Sequence, residues 1–92
     1  MKELLKLKNI GEVSAKMLVE IDVHNRGDIE KLGPATIYHI LKAQGYNVNI
    51  MMVYALYGAL KNKHYIEISE AEKDELQKQI KNQPFDSLEG TL

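Results

Sequence analysis

Apolar residues along this chain recur mostly at helical spacing and seldom alternate. Leu4, Leu5 and Leu7 mark a short first helix, closed by the Lys8-Asn9-Ile10-Gly11 turn. Val13, Met17, Leu18 and Ile21 follow i, i+4, i+5, i+8 and predict one apolar face of a helix over about 12–21. Ile29 and Leu32 give the inner side of a shorter helix, and Ile37, Ile40 and Leu41 that of the next. From Ile50 to Leu60 the chain is apolar nearly all round, which predicts a central, most buried helix over about 50–61. Leu76 and Ile80 mark a last helix that runs to about Asn82. Strand-like patterning is confined to Val48-Asn49-Ile50 and Tyr65-Ile66-Glu67-Ile68.

Helix punctuation agrees with these periods. Asn25 suits an N-cap, with Asp28 in the first turn behind it. Gly33-Pro34 ends one helix and opens another, the proline sitting where its missing N–H costs nothing. Gly45 fits a left-handed C-terminal position, and Asn49 fits a cap for the central helix. Ser69-Glu70-Ala71-Glu72 reads as a capping box. The prediction is an all-α fold of five to six short helices with brief connections. Residues 1–83 form one domain, and 84–92, beginning at Pro84, a disordered tail.

Composition narrows the function classes. The chain has 92 residues, 45% hydrophobic and 27% charged, which is globular rather than disordered. It has no cysteine, so disulfide frameworks, thiolate zinc sites, iron–sulfur clusters and a cysteine nucleophile are excluded. Charges in Met1–Lys6 interrupt any signal-peptide apolar core, and the run Ile50–Leu60 is far short of the about 20 residues that span a bilayer. These features predict a cytoplasmic protein without membrane partners. The net charge of −1 excludes a strongly cationic nucleic-acid coat. That charge is uneven: residues 1–65 carry nine Lys/Arg against six Asp/Glu, and residues 66–92 three against seven. An anionic partner should therefore meet the first part, with the acidic last helix turned away.

The most informative segment is Leu7 to Leu18. It pairs a short helix with a Gly-containing turn and a second helix that starts with small residues. It resembles the helix-hairpin-helix motif, with Ile10, Gly11, Ser14 and Ala15 at the matching positions. Gly11 is expected to permit a tight turn, so that a bulky side chain there misplaces the hairpin. Successive N–H groups at the start of the second helix would form an anion site. Lys8, Asn9, Gly11, Ser14 and Lys16 are the candidate DNA-phosphate contacts. Two residues argue for plain helix packing instead: Asn9 stands where DNA-binding hairpins usually have Gly, and Glu12 puts a negative charge beside the anion site.

The resemblance extends along about 4–81. Leu7-x-Asn9-Ile10-Gly11, Ser14-Ala15-x-Met17-Leu18, Ile21-x-Val23-His24, Asp28-Ile29-x-x-Leu32-Gly33 and Tyr54-Ala55-Leu56-x-Gly58-Ala59-Leu60 with His64-Tyr65 are similar to the C-terminal domain of the TfoX/Sxy family. The chain reads as a stand-alone form of that domain, without the N-terminal domain of full-length members. The resemblance implies a helical bundle of the helix-hairpin-helix, SAM-like type. It also implies a role in transcriptional regulation of bacterial competence, that is, DNA uptake.

The Ile50–Leu60 helix admits two readings. Its apolar residues are core, with Gly58 and Ala59 letting a neighbouring helix approach. Alternatively Met51, Met52, Tyr54 and Tyr57 form a partner face, since Met adapts and Tyr is enriched at interfaces. His24, His39 and His64 lack metal-ligand spacing and read as turn or surface residues, with His64 favourably placed at a helix C-terminus. Ser14, Ser69 and Ser87 form no nucleophile constellation. No phosphate loop or dinucleotide fingerprint is present. The expectation is a non-enzymatic module without cofactor or metal. Its partner is a protein such as a transcription regulator, or a second copy, rather than a small molecule; weak DNA binding is the alternative.

Overall fold

The computed structural model describes residues 1–82. These fold as six α-helices: α1 (Lys2–Leu5), α2 (Glu12–Glu20), α3 (Arg26–Leu32), α4 (Pro34–Ala43), α5 (Ile50–Lys61) and α6 (Glu70–Lys81). A single 3-10 turn at Tyr65–Glu67 joins the last two. The all-α class is as predicted, and no strand occurs among the described residues. The tail expected at 84–92 lies outside the described residues.

The caps form from the residues that predict them. Asn25 accepts the Asp28 N–H at 2.9 Å, Asn49 accepts the Met51 N–H at 2.9 Å, and Ser69 and Glu72 close a reciprocal capping box. Gly33, at φ +88°, turns the chain into Pro34 at the first position of α4. Gly45 takes φ +94° just past the end of α4.

Helix α5 is the centre of the molecule, as its unbroken apolar character predicts. It divides the interior in two. On one side Met52, Leu56 and Ala59 join Leu4, Ile10, Leu18, Val23 and Leu41. On the other, Val53 and Tyr54 meet Ile68, just past the 3-10 turn, and Leu76, which α6 lays over them. Arg26 fastens α3 to the end of α5, its guanidinium donating to the Leu60 carbonyl at 2.6 Å.

The expected apolar face of α2 is corrected at its first residue. Val13 is 72% exposed, while Ala15 and Leu18 are fully buried. Val13 lies about 140° around the helix from Leu18, outside the arc that the core covers. Gly58 also has a different neighbour from the one expected. A Cβ there would stand 2.5 Å from Asn9 Nδ2 and 2.6 Å from the Lys63 carbonyl oxygen. The room is left for a side chain and a returning backbone, not for a packed helix.

Two histidines are reassigned as well. His39 is half-buried in α4, and its Nε2 donates to the Ile80 carbonyl at 2.9 Å, tying α4 to the end of α6. His64 does not act at a helix C-terminus. Asn62, in the left-handed conformation, ends α5, and His64 instead caps the 3-10 turn through Nδ1, which accepts the Ile66 N–H at 3.4 Å.

Candidate functional site

The turn between α1 and α2 is organised by Asn9 rather than by Gly11. Asn9 has φ +71°, a left-handed conformation that Asn tolerates better than most residues. From there its amide reaches across the molecule. Nδ2 donates to the Ala55 carbonyl at 3.2 Å and to the Lys63 carbonyl at 2.9 Å, and Oδ1 accepts the Tyr65 N–H at 3.0 Å. The amide is thus engaged on both ends inside the protein. Asn9 clamps the turn to α5 and to the 3-10 turn, and its side chain is not free for a phosphate.

Gly11 is the N-cap of α2, at φ −99° and ψ −174°, an extended conformation open to any residue. A Cβ on Gly11 would meet no atom within 4 Å. The expectation that a side chain there misplaces the hairpin is therefore corrected. The left-handed position is two residues earlier, at Asn9. Lys8 and Lys16 are exposed, and no ion pair engages either of them among the described residues. Ser14 is half-buried, and Glu12 stands exposed in the first turn of α2.

The four candidate partner-face residues of α5 do not share a face. Met52 lies in the first core cluster, 8% exposed, and Tyr54 in the second, 6% exposed. The Tyr54 hydroxyl accepts from Gln77 Nε2 at 2.9 Å. Tyr57 is half-buried and donates its hydroxyl to Glu72 Oε2 at 2.6 Å. Only Met51 is exposed, at 44%. Successive helical positions point 100° apart, so a run of apolar residues on a central helix must serve both sides.

Glu72 is the most heavily engaged carboxylate. One oxygen takes the Tyr57 hydroxyl; the other accepts the Ser69 N–H at 2.9 Å, and the Lys63 ammonium lies 3.4 Å away. The Tyr57 hydrogen bond, then the Ser69 backbone bond, hold its pKa down at about 2. The same hydrogen bond to Glu72, helped by burial, raises that of the Tyr57 hydroxyl. This arrangement fastens α6 to α5.

What the structure does bring together is a groove of about 360 Å³ between α2 and the start of α5. Its apolar lining includes Met17, Val48, Met51 and Met52, and its polar lining Ser14 and Asn47. The Asn9 clamp forms one end, with Tyr65 beside it. No charged side chain lines it. Of the predicted site residues, Asn9, Ser14, Met51 and Met52 meet in this groove, whereas Lys8, Gly11, Lys16, Tyr54 and Tyr57 do not line it. Sequence reasoning missed Met17, Asn47 and Tyr65 as site residues. The one available signal is the run Asn47-Val48-Asn49, polar residues flanking a lone apolar one just before an apolar helix.

Among the described residues no group of three His, Asp or Glu is placed to hold a metal ion, and no helix is long and apolar enough to cross a membrane. A crystal structure of an uncharacterized protein from Listeria monocytogenes, in a triclinic form, is similar to this fold. It aligns with a TM-score of 0.75 and 28% sequence identity, over 95% of this chain and 93% of that one. No curated protein matches the chain. The TfoX C-terminal domain family matches residues 1–80, from the first residue of the chain to one short of the end of α6. On that match, which spans the clamp, the groove and both core clusters, the chain belongs to the TfoX C-terminal domain family.

Proposed function

We propose that this domain is a non-enzymatic docking module in the transcriptional regulation of competence, and that it works through the groove between α2 and α5. The observation that carries this reading is the character of the groove. It is uncharged, its floor is apolar, and Met51 and Tyr65 stand exposed at its edge. Methionines repack around differently shaped partners, and aromatic edges anchor them. The link to competence rests on family membership. The test is transcript levels of DNA-uptake genes in cells that carry the protein. Met51→Asp should abolish the domain's effect, while the double change Lys8→Glu, Lys16→Glu should keep it. The reverse pattern overturns the reading. Met51 is the second residue of α5, where an Asp suits the helix N-terminus, so the fold should survive the change.

A second reading has one observation in its favour: Lys8 and Lys16 are exposed and free of ion pairs among the described residues. It makes the α1–α2 turn a DNA-phosphate contact. The engaged amide of Asn9 and the charge of Glu12 weigh against it. Fluorescence anisotropy of labelled duplex at about 50 and 200 mM salt separates the two. Two or three phosphate contacts would give a log–log slope near −2 to −3, lost in the double lysine variant. The docking module shows no such binding.

A further inference from the structure

We infer that a second hollow, where α4, α5 and the end of α6 meet, is covered by the segment that follows α6, with Phe85 as the side chain that fills it. The inference does not rest on the docking reading above. The hollow measures about 310 Å³ and is lined by Tyr38 of α4, Ile50 of α5, and Gln77, Ile80 and Lys81 of α6. Tyr38, Ile50 and Ile80 pack against the second core cluster, yet each is only half-buried. The hollow is thus an open extension of that core, and an apolar side chain laid into it would complete the packing.

Position selects the occupant. Lys81, one wall of the hollow, is the last residue of α6, and the chain leaves from Asn82 directly beside it. The bond from His39 to the Ile80 carbonyl holds that end against α4, so the chain departs from the rim of the hollow. Pro84 lacks an N–H and disfavours a helical Gln83, which turns the chain off the α6 axis. Phe85 follows Lys81 by four residues, a reach of about 13 Å. It is the only phenylalanine in the chain, and its neighbours Gln83, Asp86 and Ser87 are polar. Lys81, exposed and free of ion pairs among the described residues, offers a counter-charge to Asp86 at the rim. A tether of a few residues holds a side chain at an effective concentration in the millimolar range. A free partner of the same apolar chemistry would have to exceed that to displace Phe85.

Nuclear magnetic resonance of the full chain tests this, because labelling phenylalanine alone marks a single ring. The Phe85 ring protons should show Overhauser contacts to Tyr38 and to the methyl groups of Ile50 or Ile80, and dilution should leave them unchanged. Phe85→Ala should shift those methyl resonances and lower the melting temperature by about 4 °C or more. Leu88→Ala should do neither. Both substitutions lie past the end of α6, and an unchanged helical circular dichroism signal checks that the six helices persist. Contacts from Phe85 to its chain neighbours alone overturn the inference, as do methyl resonances that Phe85→Ala leaves in place. Contacts that fade on dilution, or that join differently labelled copies in a mixed sample, assign the hollow to a second copy and overturn it too. None of these outcomes touches the groove, whose own test is Met51→Asp.

Discussion

Asn9 shows how much one side chain can settle. Its three hydrogen bonds join a turn near the start of the chain to Ala55, Lys63 and Tyr65. Its backbone also holds a left-handed conformation that costs a residue with an ordinary Cβ about 1 kcal/mol. Asn9→Ala should therefore lose about 2–3 kcal/mol in urea unfolding, from strain plus partners left unmet. Gly58→Ala, normally a gain within a helix, should instead cost about 1–2 kcal/mol, because its Cβ meets the clamp and the Lys63 carbonyl. Gly11→Ser should leave stability unchanged or raise it by a few tenths of a kcal/mol, since Ser caps a helix better than Gly. If Gly11→Ser proves as damaging as Asn9→Ala, the clamp is not what orders the turn. In the sequence, Gly11 is the visible mark of the turn, because glycine signals one. Nothing local tells that the asparagine two positions earlier takes the left-handed position, for its partners lie 46 to 56 residues away.

At the scale of elements, the sequence is more legible, because caps and periods are local. Asn25, Gly33-Pro34, Asn49 and Ser69 each open the helix they predict. Which face of a helix is covered is a different matter. Tyr54 is buried because α6 packs on it, and Val13 is exposed because nothing comes to cover it. The junction of α5 with α6 also carries a pH dependence. In the folded chain the Glu72 pKa is lowered from 4.5 to about 2, so its ionised form is favoured by folding. That stabilisation is complete above pH 4.5 and is lost as pH falls from there towards 2. Glu72→Gln should flatten this part of the curve of urea midpoint against pH. An unaltered acid limb would show that other carboxylates govern it.

Taken whole, the molecule sorts its charge. Helix α6, which carries Glu70, Glu72, Asp74 and Glu75, packs against α4 and α5, while the neutral groove opens between α2 and α5. The sequence shows the imbalance between residues 1–65 and 66–92, because charge needs only counting. It does not show the groove, whose walls come from four separate stretches of chain. Lack of charge there has a further result. Association through the groove should vary little between about 50 and 200 mM salt, in contrast to contacts with phosphates. Docking that weakens steeply as salt rises would place the interface on a charged surface instead.

The Asn9 clamp also bears on the order in which the chain folds. Helices α3, α4 and α5 pack on one another as near neighbours in sequence, but the clamp closes loops of some fifty residues. Such closure has to wait until the end of α5 and the 3-10 turn have arrived. The turn that comes first along the chain is thus among the last parts to be fixed. Interactions absent from the transition state slow unfolding rather than speed folding. Asn9 therefore acts as a lock on a finished structure, not as a seed for it.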